Sequence, residues 1–228
     1  MSEQPLRVLL VGYGRMGRLV EQLAGADGEV EIVGRLTSVT SLETHAVTEA
    51  DVAIDFSTAS AVPGNVAVLA ARGTSVVIGT TGWQDREREV RATVSDFPIG
   101  VLVAPNFAIG VNAFFAIAER AASLLATRGF APYIHEAHHS GKKDAPSGTA
   151  LMLQSLVVEA GGQTVDVSST RAGSIPGTHT VGFDALAETV TLTHAARDRT
   201  AFARGALEAA KWIKGRHGWF TMRDMLGI

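Results

Sequence analysis

The sequence predicts an α/β chain in two parts, a parallel sheet with helices on both faces followed by an α+β half. Three observations predict it. Short apolar runs alternate with helical patterns up to about residue 107, and a glycine turn joins the first run to the helix after it. Past residue 107 the pattern changes to one long apolar helix and then to strands that alternate Thr with aliphatic residues. Strands and helices alternating at short spacing are the signature of a doubly wound parallel sheet. Polar–apolar alternation belongs to a mixed or antiparallel sheet with one solvated face.

Leu6–Val11 is nearly continuous in apolar residues, as for a strand buried on both faces. Gly12-Tyr13-Gly14-Arg15-Met16-Gly17 follows, then a helix over Arg18–Ala24. Val30–Leu36 and Asp51–Phe56 read as the second and third strands, and a helix over Pro63–Arg72 starts on a proline suited to its first turn. Ser75–Gly79 and Gly100–Ala104 are the fourth and fifth strands, with a polar surface helix over 84–95 between them. In the second part, Val111–Leu125 is a long apolar helix, Pro132–Glu136 a strand and 147–160 a helix. Thr178–Phe183 and Glu188–His194 read as antiparallel strands, and Ala201–Lys214 as a last helix before a short tail.

The chain has 228 residues, 46% hydrophobic and 19% charged, enough for one large or two modest folded domains. A net charge of -3 argues against a nucleic-acid binder held by phosphate contacts. There is no cysteine, which removes disulfides and thiolate chemistry together and suits a reducing compartment. No uninterrupted apolar run reaches the ~18 residues of a membrane span. No cationic leader opens the chain either, so a cytoplasmic protein with no membrane partner is expected.

Gly12-x-Gly14-x-x-Gly17 stands after a strand and before a helix, the context that gives this motif meaning. Gly12 permits a tight turn, Gly14 lets a pyrophosphate approach the backbone, and Gly17 allows close helix–strand packing. Unpaired N–H groups at the helix start favour the anion. The reading is a Rossmann-type dinucleotide site; glycines kept only for the turn are the alternative. The acid expected about 20 residues on is missing. Arg35-Leu36-Thr37-Ser38 stands there, either offering Arg35 and two hydroxyls to a 2′-phosphate or merely pointing Arg35 into solvent. Gly79-Thr80-Thr81-Gly82 and Ala104-Pro105-Asn106-Phe107 lie at strand C-termini, where open α/β sheets bind ligands.

Chemistry concentrates in Tyr133–Ala150, YIHEAHHSGKKDAPSGTA. Imidazole suits proton transfer near neutral pH, so His138 and His139 are candidates. Lys142 can neutralise a carboxylate or stabilise a developing anion. Asp144 or Ser147 can cap the next helix, and Gly148 and Thr149 offer N–H groups and a hydroxyl to an anion. His135 reads as a packed, hydrogen-bonded strand residue and Lys143 as solvated charge. A metal held by His135, His138 and His139 is disfavoured, because adjacent histidines seldom converge on one ion; no metal is expected.

With these residues in view the chain resembles the dihydrodipicolinate reductase (4-hydroxy-tetrahydrodipicolinate reductase) family. E-A-H-H-x-x-K-x-D-A-P-S-G-T-A at 136–150 is its signature, and G-R-M-G at 14–17, D-F-S at 55–57, G-T-T-G at 79–82 and A-P-N-F-x-x-G-V-N at 104–112 fit in order. So do Gly177-x-His179, H-x-x-x-x-R at 194–199 and F-A-x-G-A-L at 202–207. The resemblance implies reduction of 4-hydroxy-tetrahydrodipicolinate to tetrahydrodipicolinate in lysine and diaminopimelate biosynthesis, with NADPH or NADH as cofactor. It implies His138 as proton donor and Lys142 as second donor. His139, Gly148 and Thr149, with the helix start at Ser147, would hold the substrate carboxylates. Gly12–Gly17, Gly79–Thr81 and Ala104–Phe107 would line the cofactor. It further implies a homotetramer built through the second sheet, and a last helix that returns to the first part. The domains expected are therefore 1–107 with 201–228 for the dinucleotide, and 108–200 for substrate and oligomerisation. This chain departs from the family in its shorter glycine loop, its short 37–50 region and the missing acid after the second strand. A non-catalytic NAD(P)-binding sensor or assembly protein is the competing class; it leaves His138, Lys142 and the Ser147–Thr149 turn without work. A phosphorylating semialdehyde dehydrogenase is excluded, because its thiol nucleophile is absent.

Overall fold

The computed structural model describes residues 4–37, 42 and 49–228. The chain divides into two compact units, Met1–Ile109 with Thr200–Gly227, and Gly110–Arg199.

In the first unit, β1 (Leu6–Val11), β2 (Val30–Leu36), β3 (Val52–Asp55), β4 (Ser75–Ile78) and β5 (Gly100–Val103) alternate with α1 (Arg15–Ala24), α2 (Val62–Ala71) and α3 (Glu87–Val94). A 3-10 turn over Gln84–Arg86 precedes α3, so the surface helix is shorter than its charged sequence suggests. With β10 (Gly218–Phe220) at one edge, all pairings in this sheet are parallel, in the order β10-β5-β4-β3-β1-β2. The chain leaves β1 toward β2 on one side and resumes at β3 on the other, which makes the β1/β3 boundary the switch point of the sheet.

The β1 side chains explain the fold. Val8 and Leu10 pack with α1 and α6 (Thr200–Ile213) on one face, and Leu9 and Val11 pack with α2 on the other. The last helix thus belongs to this unit. It is lined with small residues (Ala203, Gly205, Ala206, Ala209, Ala210), which let it lie close beneath the strands. The tail holds two elements that the sequence did not reveal, β10 (Gly218–Phe220) and α7 (Met222–Leu226). Three residues are too few to show a period. Trp219 of β10 is held between Trp83, at 6.3 Å, and the Arg91 guanidinium, 4.3 Å from its ring centre. Thr221 and Asp224 form a reciprocal capping box at the start of α7.

In the second unit, α4 (Ile109–Leu125), β6 (Ala131–His138), α5 (Gly148–Gly161), β7 (Asp166–Arg171), β8 (Thr178–Asp184) and β9 (Thr189–Ala195) build a four-stranded sheet in the order β7-β6-β8-β9. β6 and β7 are parallel across the α5 crossover, and the other pairs are antiparallel, so the sheet is mixed. β7 escaped the sequence reading because Asp-Val-Ser-Ser-Thr-Arg carries a single aliphatic residue, Val167. Ile134, Val181 and Phe183 pack with Phe114 and Ala118 of α4 and Leu153 and Val157 of α5. The opposite face is covered by no helix among the described residues; Tyr133, His135, Thr191 and Thr193 are exposed there. The Tyr133 ring lies across Gly182 of the neighbouring strand, where a Cβ would come within 2.2 Å of it.

The helical stretch Ile109–Arg128 is long and apolar enough to cross a membrane by length and composition, although Glu119 and Arg120 interrupt it. Its buried residues Val111, Phe114, Ala118 and Ala122 recur every three or four positions, the stripe of a helix packed on a core.

Gly205 tests how tightly α6 is seated, since a Cβ there would stand 1.7 Å from the Phe107 carbonyl oxygen. Gly205→Ala is expected to cost about 3 kcal/mol or more by forcing a backbone shift, measured by urea denaturation. Wild-type stability would show that α6 is not seated so closely.

Candidate active site

At the switch point a cavity of about 740 Å³ opens at the strand C-termini. It is lined by Gly12, Tyr13 and Gly14 after β1, Leu36 and Thr37 at the end of β2, and Phe56, Ser57, Thr58 and Asn65 after β3. The three motif glycines have separate physical duties. Gly12 sits at φ +90°, and a Cβ on it would strike the Phe56 carbonyl oxygen at 2.4 Å. A Cβ on Gly17 would strike the Gly12 carbonyl oxygen at 2.5 Å. Gly14, the N-cap of α1, has no atom within 4 Å of a Cβ built on it, and no side chain caps the helix start. Two glycines close the turn and one keeps the approach to the helix N-terminus clear, which fits a dinucleotide pyrophosphate.

Beneath the turn, a group that sequence reasoning missed holds the rim together. The Asp55 carboxylate is fully buried. It accepts from the Ser57 N–H at 2.8 Å, the Ser57 hydroxyl at 2.6 Å, Asn65 Nδ2 at 2.9 Å and the Thr80 hydroxyl at 2.8 Å. One carboxylate thereby fixes the loop after β3, α2 and the Gly79–Thr81 turn. The signal was present as a lone acid inside the apolar run DVAIDF, because a buried polar group must find partners.

Arg15, Met16, Gly17, Arg35, Gly79, Thr80, Thr81, Ala104, Pro105, Asn106 and Phe107 do not line this cavity. Thr80 is buried and turned toward Asp55. Gly79 lies against the Phe56 ring, and Phe107 is buried edge-on to Phe56 at 6.2 Å. The Asn106 side-chain Oδ1 accepts from the Ala108 N–H at 2.9 Å. Arg35 is partly exposed and paired with a carboxylate. Its Nε donates to Glu21 Oε1 at 2.6 Å and its Nη2 donates to the same oxygen, while the Tyr13 hydroxyl donates to Glu21 Oε2. Arg35 first, then Tyr13, hold the Glu21 carboxyl below its usual range. Ser38 lies outside the described residues.

The second cluster lies in the other unit, and strand register builds it. Glu136 on β6 is paired with Ser169 on β7 and His179 on β8, His179 with His194 on β9, and His138 with Arg171. The sheet face that carries the aliphatic core at one end thus carries a polar row at the other. Glu136 is fully buried, and its Oε1 accepts from Arg171 Nη2 at 2.6 Å, the Ser169 hydroxyl at 2.7 Å and the Ser147 N–H at 3.0 Å. Burial alone would raise its pKa. The donors from Ser147, Arg171 and Ser169 outweigh burial and bring it down to about 2, so Glu136 is anionic at neutral pH. Oε2 stands 3.1 Å from His138 Nδ1 and 3.6 Å from His179 Nε2. Burial pushes His179 down to about 4, aided by the neighbouring His138 imidazole, whose ring centre is 5.0 Å away; His179 is therefore neutral. Burial also lowers His138, partly opposed by Glu136.

Among the described residues, three buried side-chain polar atoms lack a hydrogen-bond partner, and all three are here: Glu136 Oε2, His138 Nδ1 and Arg171 Nε. Such groups are rare in folded proteins and mark functional positions. Lys142 Nζ donates to both Asp144 carboxylate oxygens, at 2.9 and 2.8 Å, on an exposed loop. The Asp144 carbonyl accepts from Arg171 Nη2 at 2.5 Å.

The predicted set divides. His138 ends β6, exposed His139 and Lys142 follow on the next loop, and Gly148 and Thr149 open α5. Ser147 serves the fold instead of facing a ligand. It is buried, its N–H donates to Glu136, and its hydroxyl accepts from the Ala150 N–H at 3.2 Å and meets His179 Nε2 at 3.1 Å. Gly148 is exposed and leaves the space before the helix start clear. His135 is hydrogen-bonded as expected, with Nδ1 3.0 Å from the Ser168 hydroxyl, but it is exposed and not packed. It lies on the opposite face, so no ion could join it to His138. Glu136, His138 and His179 do bring ligand atoms within 4.8 Å of one another. Arg171 already neutralises that carboxylate, and a divalent ion there would sit against a guanidinium. Glu136, Ser169, Arg171 and His179 were not read as site residues, because each strand hides its share until the register is known.

Comparisons with known proteins bear on the family and the fold. The family model described as "Dihydrodipicolinate reductase, N-terminus" matches residues 6–107, and "Dihydrodipicolinate reductase, C-terminus" matches 110–226. The second match includes α6, which in space belongs to the first unit. A 4-hydroxy-tetrahydrodipicolinate reductase of Acidiphilium cryptum is 38% identical over 100% of both chains, and one of Aquifex aeolicus is 36% identical over 98% of this chain and 99% of its own. Among solved structures, dipicolinate-bound dihydrodipicolinate reductase from Paenisporosarcina sp. TG-14 has a TM-score of 0.82 at 21% identity, covering 96% of this chain and 98% of that one. An engineered D-amino acid dehydrogenase bound to NADP+ has a TM-score of 0.57 at 16% identity, covering 96% and 93%. Both structures share the fold.

Gly14 separates folding from binding. Gly14→Ala is expected to leave the urea midpoint unchanged while weakening NADPH binding at least roughly tenfold, since the added methyl meets no protein atom but fills the approach to the helix. Unchanged NADPH affinity by calorimetry would place the pyrophosphate elsewhere.

Proposed function

This chain belongs to the dihydrodipicolinate reductase family, and on that premise we propose how its own residues divide the work. The protein is an NAD(P)H-dependent oxidoreductase that reduces 4-hydroxy-tetrahydrodipicolinate to tetrahydrodipicolinate, in lysine and diaminopimelate biosynthesis. The bound nicotinamide supplies the hydride.

The Gly12–Gly17 turn holds the dinucleotide pyrophosphate at the start of α1. His138 delivers the proton that balances the hydride, sparing the ring a full negative charge. Lys142 and the N–H groups of Gly148 and Thr149 bind the two carboxylates of the small dicarboxylate substrate, with His139 beside them. The observation that carries this reading is His138 at the end of β6, with a buried carboxylate behind it and the clear start of α5 beside it. The Lys142–Asp144 pair is on an exposed loop, so a substrate carboxylate can take the place of Asp144 at little cost.

Either nicotinamide dinucleotide serves, with NADPH slightly favoured. A 2′-phosphate must compete with Glu21 for Arg35, and that ion pair is partly exposed. The uncovered face of the β7-β6-β8-β9 sheet, with Tyr133 and its row of threonines, is the surface for assembly as a homotetramer. The cysteine-free composition suits a reducing cytoplasm.

His138→Ala and Lys142→Ala are each expected to lower turnover by roughly two orders of magnitude or more while NADPH affinity stays within about threefold. The assay is NADPH oxidation on freshly condensed pyruvate and aspartate semialdehyde; wild-type-like turnover in either variant would sink the assignment. Because burial lowers the His138 pKa, the acid form is lost as pH rises through a value below the ordinary imidazole range. The basic limb of kcat/KM should therefore sit below pH ~6.5.

Glu21→Gln should free Arg35 and raise the ratio of kcat/KM for NADPH over NADH by roughly five- to tenfold. An unchanged ratio would mean that Arg35 never reaches the ribose.

A further inference from the structure

Glu136 has one oxygen committed and one aimed. Oε1 is held by three donors from three segments, Ser147 at the start of α5 and Ser169 and Arg171 on β7. A carboxylate fixed at one oxygen cannot turn, so the direction of Oε2 is set by the fold. That direction meets His138 Nδ1 at 3.1 Å. Neither atom has a hydrogen bond as the ring now lies, and both are buried. His179 Nε2 stands farther from Oε2, at 3.6 Å, and already faces the Ser147 hydroxyl. An ionised carboxylate only accepts. The hydrogen that completes this pair must therefore be on Nδ1 of His138. The other nitrogen, Nε2, is next to Gly177 at φ +96°, where a Cβ would stand 3.2 Å from it. The glycine keeps that side of the ring unobstructed.

We propose that Glu136 is a positioning residue for the reduction: it fixes neutral His138 as the Nδ1–H tautomer, leaving Nε2 to carry the proton to substrate, and through its other oxygen it holds the helix start that binds the carboxylates. This rests on His138 being the proton donor. In the protonated ring both nitrogens carry hydrogen; Nε2–H gives its proton to the substrate carbon that balances the hydride, and the Nδ1–H tautomer remains against Glu136. The groups around the ring are Glu136 on β6, Arg171 on β7, His179 on β8 with His194 behind it on β9, and Lys142 and Asp144 from the next loop. Of these, Glu136 and Asp144 favour the charged ring and Lys142 and Arg171 oppose it.

The rival account makes Glu136 only the counter-charge of Arg171. Two measurements on the full-length protein separate them. In wild type with 15N-labelled histidine, long-range 15N–1H spectra above the His138 pKa should show the Nδ1–H tautomer; a proton on Nε2 overturns the proposal, and this test needs no variant to fold. In Glu136→Gln, the amide can donate to Nδ1 and trap the wrong tautomer. Its kcat should fall at least roughly tenfold with KM and NADPH affinity within about threefold. The basic limb of kcat/KM should also move to lower pH, because the one carboxylate behind the ring is gone. A purely structural role would lower the yield of folded protein and leave kcat of the folded fraction at the wild-type value, and that outcome overturns the proposal. If His138→Ala retains turnover, the proton-donor reading fails, whereas the tautomer measurement still reports on the Glu136 contact.

Discussion

A carboxylate buried in the middle of a sheet is tolerated only when its lone pairs are met, and the second unit is arranged to meet them. Glu136 is on the central strand β6, and its partners arrive from β7, β8 and the start of α5. Removing one partner of such a buried pair leaves an uncompensated charge at a cost of about 3–5 kcal/mol. That cost makes the register of three strands and the entry angle of a helix mutually dependent. A slip of one residue would turn Glu136 to the exposed face and bring His135 into its place. The same constraint therefore decides the fold and which histidine faces the helix.

The first unit uses a similar device with different chemistry at its edge. Asp55 ends β3 and gathers Ser57, Asn65 and Thr80, so the loops at the switch point are fixed from below while their upper surface stays free. Within each unit a buried acid at the C-terminal end of a central strand organises loops that hold no core of their own. Loops suit ligand contact, and a satisfied carboxylate beneath them supplies the rigidity they lack.

Much of this was legible in the sequence. β1 announces itself by its nearly continuous apolar run, and the glycine turn by its position between a strand and a helix. What escaped did so for physical reasons. β7 looks like a loop because Ser169 and Arg171 face a carboxylate instead of a core. β10 is too short to show alternation. The partner of Arg35, Glu21, stands 14 residues earlier on α1, and no linear pattern pairs them. The candidate site was half visible for the same reason. His138, Lys142, Gly148 and Thr149 fall in one short stretch, whereas Arg171 and His179 reach it only through strand pairing.

Ser147 shows what the structure adds to a motif. A serine before a glycine and a threonine at a helix start can act as a cap, and this hydroxyl does cap the helix while also meeting His179. Its N–H goes to Glu136. Both of its polar groups are thus taken from inside the protein, and the anion-binding capacity of the turn passes to the N–H groups that follow. Gly148 then has a reason to be glycine that is not conformational, since its φ is not positive. Any side chain there would occupy the clear space in front of α5 and shield the N–H groups from a carboxylate. A carboxylate bound at this turn would therefore meet backbone N–H groups held in place by a serine whose own polar groups are engaged within the protein.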